Sequence, residues 1–366
     1  MSPYKNIIII VIMLIVTISK AQDNNKPVKI GIAGLTHGHA KLVFKFLKTK
    51  EIEIVGIAEP NTVLKERYKK QFNLADALFF TSIEDMLKES KPEGVAVFTN
   101  TKQHLEVVKM CAPKGIHVMV EKPLAVNYKE ALTMHDLSKQ YGIHVITNYE
   151  TTWHPALIEA QEKAFEDHKI GDLKKVVFHH GNNGTIRGKG NDEFIDWLTD
   201  PVKNGGGAIM DFGCYGANII TWFNKGTMPS SVYAVTNQYK PELYPKVDDD
   251  ALILLEYPNY QSILMASWNW VIPRKDVEIY GNKGFIKVEN SESLSQCYLP
   301  KRAIVKEAYT SIGYPINEPF NFFADIIKGT KKIEPFSPVS IENNLIVMKI
   351  LDAARESAKK GEKINF

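Results

Sequence analysis

The sequence predicts an α/β domain with a doubly wound parallel sheet, followed by an α+β domain with a mostly antiparallel open sheet. Three observations predict this arrangement. Short apolar segments rich in β-branched residues alternate with segments of helical period up to residue 149. Beyond residue 230, strand-like segments follow one another closely without helices between them. The length of 366 residues suits two domains, each with its own core.

The amino-acid composition excludes some classes of protein. Hydrophobic residues make up 44% and charged residues 24% of the chain, which is typical of a globular protein. The formal net charge of +3 gives no electrostatic basis for a nucleic-acid partner, and none is expected. The three cysteines are odd in number and lack metal-ligand spacing, so they predict neither a disulfide framework nor a metal site.

The first residues have the pattern of a secretory signal peptide. Lys5 precedes ten apolar residues at 7–16, and a small residue, Ala21, follows. Residues 1–21 are therefore predicted to be a cleaved signal peptide, which predicts an exported, periplasmic protein. The apolar run is too short for a typical spanning helix, so no stable membrane anchor is expected after cleavage. The alternatives are an uncleaved anchor or a wrongly chosen start codon.

Residues 22–149 form the first predicted domain. Its predicted strands cover residues 28–33, 52–58, 94–98, 116–120 and 143–148. The predicted helices cover residues 40–48, 62–72, 83–89, 103–112 and 128–141. Apolar strands that alternate with helices form a parallel sheet covered on both faces, and ligands bind at the carboxyl ends of its strands.

Residues 150–366 form the second predicted domain. Helices are predicted over residues 155–167, 211–223 and 341–359. Strands are predicted over residues 231–238, 250–257, 262–270, 276–280 and 285–289. Strands in such close succession indicate a mostly antiparallel sheet. The final helix is expected either to stay with the second domain or to pack back on the first.

The turn after the first strand has part of a dinucleotide-binding fingerprint. The pattern Gly-x-Gly-x-x-Gly would fall on Gly34, Thr36 and His39, of which only the first is glycine. His37 belongs to the same turn. In such turns the pyrophosphate lies over a helix N-terminus. Taken alone, the segment is equally compatible with a plain strand-to-helix turn.

Polar residues at the ends of the next strands strengthen this prediction. An acid at Glu59 can accept hydrogen bonds from ribose hydroxyls and would repel a 2′-phosphate, which favours NAD over NADP. Thr99 and Asn100 end another strand, and His104 follows just inside the next helix. These groups are expected to face the ribose and the nicotinamide. The alternative for His104 is a position on the helix surface.

Lys122, Asp211 and Tyr215 are the candidate catalytic residues. Pro123 restrains the backbone of Lys122 at the end of a strand and so aims its side chain. Tyr215 follows Asp211 by four residues, which places both on one helix face. A tyrosine whose pKa is lowered by Lys122 can act as general base in alcohol oxidation, while Asp211 orients the substrate. The alternative is that Tyr215 is a packed aromatic residue and Asp211 an N-cap.

These segments together resemble the Gfo/Idh/MocA family of glucose–fructose oxidoreductases and inositol dehydrogenases. The resemblance covers nearly all of the mature chain and rests on the segments at 28–34, 121–125, 205–215 and 278–281. It implies an N-terminal Rossmann domain that binds NAD(P), and a C-terminal sheet that shapes the substrate pocket and a homo-oligomer interface. The family's lysine falls on Lys122. Its Asp-x-Gly-x-His motif falls on residues 211–215, with tyrosine in the histidine position.

The predicted site has a cofactor side and a substrate side. The predicted cofactor-binding residues are Gly34, Thr36, His37, Glu59, Thr99, Asn100, His104, Glu121 and Lys122. The predicted substrate-binding residues are Trp153, which can stack on a sugar face, His154 and His180. The adjacent His179 and His180 point to opposite faces of a strand, so at most one lines the pocket. The alternative for the pair is a core or surface position, and no metal site is predicted.

Three departures from the family pattern bear on function. The glycine fingerprint is degraded, Thr152 stands where an arginine is often found, and an export signal precedes the first domain. Free NAD is scarce outside the cytoplasm. An exported member must therefore carry its cofactor tightly bound, obtain it otherwise, or have abandoned redox turnover.

The sequence leads to three functional hypotheses. The first is an NAD-linked oxidoreductase that acts on a sugar or polyol by hydride transfer. The second is a redox-neutral glycosidase that retains NAD and acts by oxidation, elimination and reduction. The third is a non-catalytic exported sugar-binding protein, which the intact Lys122, Asp211 and Tyr215 disfavour. A small-molecule carbohydrate is the expected partner in each case.

Overall fold

The computed structural model of the chain describes residues 26–44, 49–188, 191–310 and 319–366. The predicted signal peptide, residues 1–21, lies outside the described residues. Among the helices of the described segments, none has the length and apolar character needed to cross a membrane. The described chain forms one parallel sheet and one mostly antiparallel sheet, which confirms the predicted fold class.

The first sheet is parallel throughout and has six strands in the described residues. They are β1 (Val28–Ala33), β2 (Ile52–Ala58), β3 (Phe79–Phe80), β4 (Gly94–Val97), β5 (His117–Glu121) and β6 (Val145–Asn148). Their spatial order is β3-β2-β1-β4-β5-β6, so the order reverses between β1 and β4. Doubly wound sheets bind ligands at such a reversal, outside the carboxyl ends of the strands.

Helices cover both faces of this sheet. Within the described residues they are α1 (Ala40–Val43), α2 (Thr62–Phe72), α3 (Ile83–Ser90), α4 (His104–Cys111) and α5 (Tyr128–Tyr141). Capping residues fix where these helices begin and end, as α5 shows. The Asn127 side chain accepts a hydrogen bond from the Glu130 N–H at the start of α5, and Gly142 ends this helix in the left-handed region.

The second sheet has nine strands in the described residues. They are β7 (Leu173–Gly181), β8 (Ser231–Asn237), β9 (Asp250–Glu256), β10 (Gln261–Ser267), β11 (Arg274–Gly281), β12 (Gly284–Val288), β13 (Ser293–Tyr298), β14 (Val305–Ala308) and β15 (Ile364–Asn365). Neighbouring strands are antiparallel except β7 and β10, which pair in parallel. As in any strand, successive side chains of β7 point to opposite faces of the sheet.

The helices of the second domain differ in detail from the prediction. In the described residues they are α6 (Pro155–Gln161), α7 (Asp192–Leu198), α8 (Pro201–Asn204), α9 (Ala208–Asp211), α10 (Gly213–Phe223), α11 (Pro319–Lys328) and α12 (Ile341–Lys360). The predicted helix at 155–167 is α6 followed by a π-helical turn, Glu162–Glu166. The predicted helix at 211–223 is interrupted at Phe212, so Asp211 ends α9 and Tyr215 lies in α10.

The last two helices connect the two domains. Phe320 and Phe323 of α11 pack into the same hydrophobic core as β1 and β2. The Arg355 guanidinium of α12 donates hydrogen bonds to the main-chain oxygens of Val126, at 3.0 Å, and of Gly205. The C-terminal helix therefore holds the chain that follows β5 against the segment that precedes Asp211, and this brings the candidate catalytic residues together.

Candidate active site

Lys122 lies directly after β5, at the carboxyl edge of the first sheet. Its ammonium donates hydrogen bonds to a carboxylate oxygen of Asp211 and, at 3.2 Å, to the main-chain oxygen of the same residue. Burial lowers the pKa of Lys122, but the buried ion pair with Asp211 outweighs it and raises this pKa to about 12. Lys122 is therefore a cation at neutral pH, and its charge is paired.

Asp211 is held by a second partner. The indole N–H of Trp268 donates to the other carboxylate oxygen at 2.9 Å. Burial would raise the pKa of Asp211, but Lys122 and Trp268 outweigh it and lower this pKa. Both oxygens of the anion thus have a donor, and the orientation of the carboxylate is fixed from two sides.

The ring of Tyr215 lies close to two lysines. The ammonium nitrogens of Lys122 and Lys275 are 5.0 Å and 4.4 Å from the ring centroid. Tyr149 and His180 pack against the same ring in edge-on geometry, with centroids 5.5 Å and 5.8 Å away. Lys122, Asp211 and Tyr215, which the sequence placed in one site, are therefore neighbours in the structure.

The protonation of Tyr215 differs from the expectation. Burial raises the pKa of Tyr215 well above its ordinary value, and the nearby Glu150 carboxylate raises it further. The prediction that Lys122 lowers the pKa of Tyr215 is wrong for this structure, because the charge of Lys122 is paired with Asp211. Tyr215 is a neutral phenol at neutral pH.

Lys275 and Glu150 are two residues of this site that the sequence analysis missed. Their side chains form an ion pair next to Tyr215. Burial lowers the pKa of Lys275, and the Glu150 carboxylate opposes this shift. A sequence signal for Lys275 does exist. It begins an alternating series with Val277 and Ile279, both fully buried, which places a lysine on the inward face of β11.

A cavity of about 570 Å³ opens beside this cluster. Its wall contains three acids, Glu150, Asp276 and Glu289, and three cations, Arg274, Lys275 and Lys287. The acids and cations largely pair with one another: Arg274 binds Asp276 through two hydrogen bonds of 2.8 Å and 2.7 Å, and Lys287 lies 3.4 Å from Glu289. The wall is polar, and its formal charges balance.

The three predicted substrate-binding residues lie in different surroundings. His154 lines the cavity, and burial lowers its pKa to about 4. His180 is buried against Tyr215, and neither of its ring nitrogens has a hydrogen-bond partner within the described residues. Trp153 packs edge-on against Phe322 beside the core of the first domain. Trp153 is not among the residues that line this cavity, and its ring contacts Phe322 of α11.

The turn after β1 encloses a second, smaller cavity of about 220 Å³, whose wall includes Gly34, Thr36, Glu59 and Thr99. Gly34 has a φ of +77°, and a Cβ at this position would lie 2.7 Å from the Thr99 methyl carbon. Only glycine fits there. The Thr36 hydroxyl donates to the Phe98 carbonyl at 3.3 Å. The cavity lies at the order reversal between β1 and β4, and the residues present fit a dinucleotide at this place.

Glu59 is tied to the backbone around this cavity. One carboxylate oxygen accepts a hydrogen bond from the Leu35 N–H at 2.7 Å, and the other accepts one from the Asn61 N–H at 2.8 Å. Burial raises the pKa of Glu59. Each oxygen keeps a further lone pair, so Glu59 shapes the turn and can still accept a ribose hydroxyl.

Asn100 and His104 support the chain around the groove. The Asn100 side chain accepts a hydrogen bond from the Gln103 N–H at 3.2 Å and caps a short turn. His104 is buried, with its Nδ1 3.2 Å from the Leu124 carbonyl oxygen. Burial lowers the pKa of His104 to about 4, so the ring is neutral at neutral pH. Neither residue lines the 220 Å³ cavity.

His37 and Glu121 lie side by side between this groove and Lys122. The Nε2 atom of His37 is 4.0 Å, and the Nδ1 atom of His39 is 3.0 Å, from one carboxylate oxygen of Glu121. The Asn148 amide donates to the other oxygen at 2.8 Å. Burial would raise the pKa of Glu121, but the two histidines and Asn148 outweigh it and hold this pKa at about 2. Glu121 is therefore an anion.

Comparison with known proteins places this geometry in a family. Residues 28–149 match the model of an oxidoreductase family with an NAD-binding Rossmann fold, and residues 158–287 match the GFO/IDH/MocA C-terminal domain. Trans-1,2-dihydrobenzene-1,2-diol dehydrogenase from Sus scrofa is 25% identical over 293 residues, which cover 79% of this chain and 81% of that enzyme.

Two solved structures share the fold. Aldose-aldose oxidoreductase from Caulobacter crescentus, complexed with glycerol, superposes with a TM-score of 0.77 at 18% identity and covers 93% of this chain and 100% of its own. Levoglucosan dehydrogenase, in complex with NADH and levoglucosan, has a TM-score of 0.76 at 19% identity, with 93% and 99% covered. The matched regions cover more than half of the chain, which therefore belongs to the Gfo/Idh/MocA family of NAD-binding oxidoreductases.

Proposed function

We propose that this chain is an NAD-linked dehydrogenase that oxidises a hydroxyl group of a sugar or polyol. The observation that carries the proposal is the buried cluster of Lys122, Asp211 and Tyr215. It lies at the same sheet edge as the dinucleotide groove and contacts Lys275, which lines the polar cavity. Gly34, Thr36, Glu59 and Thr99 would hold the dinucleotide. When bound, its nicotinamide supplies a hydride acceptor next to the substrate.

Tyr215 is assigned the proton transfer. Its buried phenol is protonated at neutral pH, so it can donate a proton to a carbonyl oxygen when the reaction runs towards the alcohol. In the oxidation direction the phenol must first lose its proton. Lys275, whose ammonium lies 4.4 Å from the ring centroid, stabilises the phenolate that then accepts the hydroxyl proton, because a nearby cation favours the charged form of a phenol.

The substrate class follows from the cavity wall. The balanced acids and cations offer donors and acceptors but no excess charge, which suits a neutral polyhydroxylated molecule better than a phosphate ester. The names of the similar proteins agree, since they include an aldose oxidoreductase and a levoglucosan dehydrogenase. The comparisons give no support to a glycosidase or to a non-catalytic binding protein.

NAD is the proposed cofactor in preference to NADP. The support is Glu59, whose carboxylate lines the groove and would meet a 2′-phosphate as a like charge. We further propose that the mature chain begins at Gln22 outside the cytoplasm and retains its cofactor tightly. N-terminal sequencing of protein from the native host tests the first point, and an intact Met1 would contradict it. Mass spectrometry of small molecules released from natively purified protein tests the second.

The sheet of the second domain also supports a homo-oligomer. Its exposed apolar side chains include Tyr233, Val235, Leu252 and Tyr280. Such a face is compatible with pairing of two copies through this sheet. Light scattering measures the mass in solution, and a strictly monomeric protein would contradict this part of the proposal.

The central experiment measures NADH formation with a panel of neutral aldoses and polyols. We expect turnover with at least one of them, and its loss in Lys122→Ala. Release of a leaving group from an aryl glycoside without added NAD and without NADH formation would instead identify the redox-neutral glycosidase. Absence of both activities, with no cofactor bound, would favour the binding protein.

A further inference from the structure

Apolar side chains lie among the polar residues in the wall of the cavity of about 570 Å³. They are Phe212, Ile272 and Pro273. We propose that they form a subsite for an apolar group of the substrate. The molecule that is oxidised is then a neutral polyol with an apolar substituent, such as a glycoside of an apolar alcohol. This inference rests on the proposed function and extends it from the reacting hydroxyl group to the rest of the substrate.

The inner end of this apolar subsite lies at the catalytic cluster. The Phe212 ring stacks on the Tyr215 ring, with a centroid distance of 6.1 Å and an interplanar angle of 29°. The Lys122 ammonium lies 6.0 Å from the centroid of the Phe212 ring. Because Phe212 also lines the cavity, a molecule whose hydroxyl group reaches Tyr215 would lie beside an aromatic ring.

The outer end of the apolar subsite is exposed. The Ile272 side chain is 66% exposed, and the adjacent Val271 is 90% exposed. A single exposed apolar residue is ordinary in a soluble protein, but neighbouring apolar residues at the mouth of a pocket are typical of a ligand-binding groove. Because Ile272 also lines the cavity, an apolar group that extends outward from the catalytic cluster would cover it.

Contacts on both sides of Ile272 fix the loop that carries it. Before this residue, the Trp270 N–H donates to the main-chain oxygen of Asn182 at 3.0 Å. After it, Arg274 binds the Asp276 carboxylate through two hydrogen bonds, and the guanidinium carbon lies 5.5 Å from the centroid of the Trp270 ring. The exposed residues therefore lie in a loop with anchored ends, and a ligand that binds there loses little free energy in ordering the loop.

The charged residues of the same wall favour a neutral substituent. Arg274 is paired with Asp276, and Lys287 with Glu289, so their charges are compensated within the wall. An apolar substituent gains affinity by leaving water and needs no partner charge. A second copy of the chain that covered Ile272 would also cover part of the cavity wall, which makes the substrate the favoured occupant.

The test compares methyl and n-butyl β-D-glucopyranoside, which differ only in the length of the alkyl chain. Calorimetry measures the binding of each to the purified protein, and NADH formation measures its turnover. Each buried methylene is worth about fourfold in affinity, so the butyl glycoside should bind roughly tenfold more tightly than the methyl glycoside. Ile272→Ser should reduce this ratio to about twofold or less, whereas Ile272→Leu, which keeps an apolar side chain, should preserve it.

Ile304→Ser is the matched control. Ile304 is 67% exposed and does not line the cavity, so its replacement should leave the ratio unchanged. Equal affinities for the two glycosides in the unmodified protein, or binding of neither, would overturn the inference even if NADH forms with a free sugar. The expected ratio without any NADH formation would support the subsite and contradict the dehydrogenase. A lower mass of Ile272→Ser in light scattering would place this residue in an interface between copies, and the inference would be wrong.

Discussion

The catalytic cluster around Lys122 and the dinucleotide groove around Gly34 lie at the same edge of one sheet, but different contacts hold them. Lys122 and Asp211, which are 89 positions apart in the chain, meet as a buried ion pair between side chains of the two domains. The groove is shaped by main-chain contacts, since Glu59 accepts hydrogen bonds from the N–H groups of Leu35 and Asn61.

This difference has an energetic consequence. The charges of Lys122 and Asp211 are buried, so water cannot replace either partner. Removal of one side chain leaves the charge of the other buried and unpaired. In the groove, the polar groups of the turn lie beside a cavity, and water can replace part of what is lost. Substitutions should therefore have large effects in the cluster and small effects in the groove.

The largest effect is expected for Lys122→Ala. Turnover should fall by about a hundred- to ten-thousand-fold, the usual contribution of acid–base catalysis, because Asp211 loses the cation that fixes it beside Tyr215 and the geometry for proton transfer by Tyr215 is lost. The variant should also lose about 3–5 kcal/mol of stability, because it leaves the Asp211 carboxylate buried without its cation. Steady-state kinetics and denaturant unfolding measure the two effects.

A double variant separates them. Lys122→Met combined with Asp211→Asn removes both charges, so stability should recover while activity stays low. Recovery of activity together with stability would show that the cluster is only structural. In that case Lys122 and Asp211 would take no part in catalysis, and Tyr215 would transfer the proton without them.

The next effect concerns Tyr215→Phe, which removes only a hydroxyl group. Because burial raises the pKa of Tyr215, the fraction of phenolate at neutral pH is small, and kcat/KM for alcohol oxidation should rise steadily with pH. Tyr215→Phe should lose about a hundredfold or more in rate and should abolish this rise. Cofactor affinity should change little.

Tyr149→Phe is the matched control for this variant. It removes a second buried phenol whose ring centroid is 5.5 Å from that of Tyr215, and it should keep the rate and the pH dependence. A flat pH profile in the unmodified protein would contradict the assignment of Tyr215 as the base.

A smaller effect is expected for Lys275→Gln. Its ammonium lies over the Tyr215 ring, and the loss of a partly desolvated cation–π contact is worth about 1 kcal/mol, or roughly fivefold in the oxidation rate. Lys287→Gln is the control, since Lys287 lines the same cavity but pairs with Glu278 and Glu289. Equal effects of the two variants would mean that Lys275 acts only through the charge of the cavity.

The sequence predicted more of the fold than of the electrostatics. Helices with strong caps and uninterrupted period, such as Thr62–Phe72 and Tyr128–Tyr141, agree with the prediction at both ends. The prediction of one helix over 211–223 was wrong at its start, because the helix is interrupted at Phe212. At this break the Asp211 carbonyl accepts a hydrogen bond from Lys122. A contact between residues so distant in the chain leaves no periodic signal.

The same limit applies to the site. The motifs around Lys122 and Tyr215 predicted that these residues are neighbours, and they are. They did not predict that Lys122 is already paired, because the direction of a pKa shift depends on burial and on partners from other elements. Trp153 was predicted to bind substrate because it follows β6. Its ring contacts Phe322 of α11, a helix that the sequence pattern did not predict.

The smallest effect is expected for Glu59→Gln, in the groove. The variant should shift the affinity ratio towards NADP by roughly fivefold, because a like charge about 4 Å away across water contributes about 1 kcal/mol. Binding of both nucleotides to apo protein gives this ratio. In the unmodified protein the preference for NAD should weaken as the pH falls, since burial raises the pKa of Glu59 and protonation removes its charge.

Glu53→Gln is the control for this last prediction, because Glu53 lies on β2, the strand that precedes Glu59, but is exposed and does not line the groove. It should leave the ratio unchanged. Glu59→Gln should also cost about 1–3 kcal/mol of stability. The carboxylate accepts a hydrogen bond from each of two main-chain N–H groups, and the NH₂ of glutamine would face one of these donors without being able to accept from it. An unchanged nucleotide ratio with that stability loss would show that Glu59 only shapes the turn, and the preference for NAD would then have no basis at this residue.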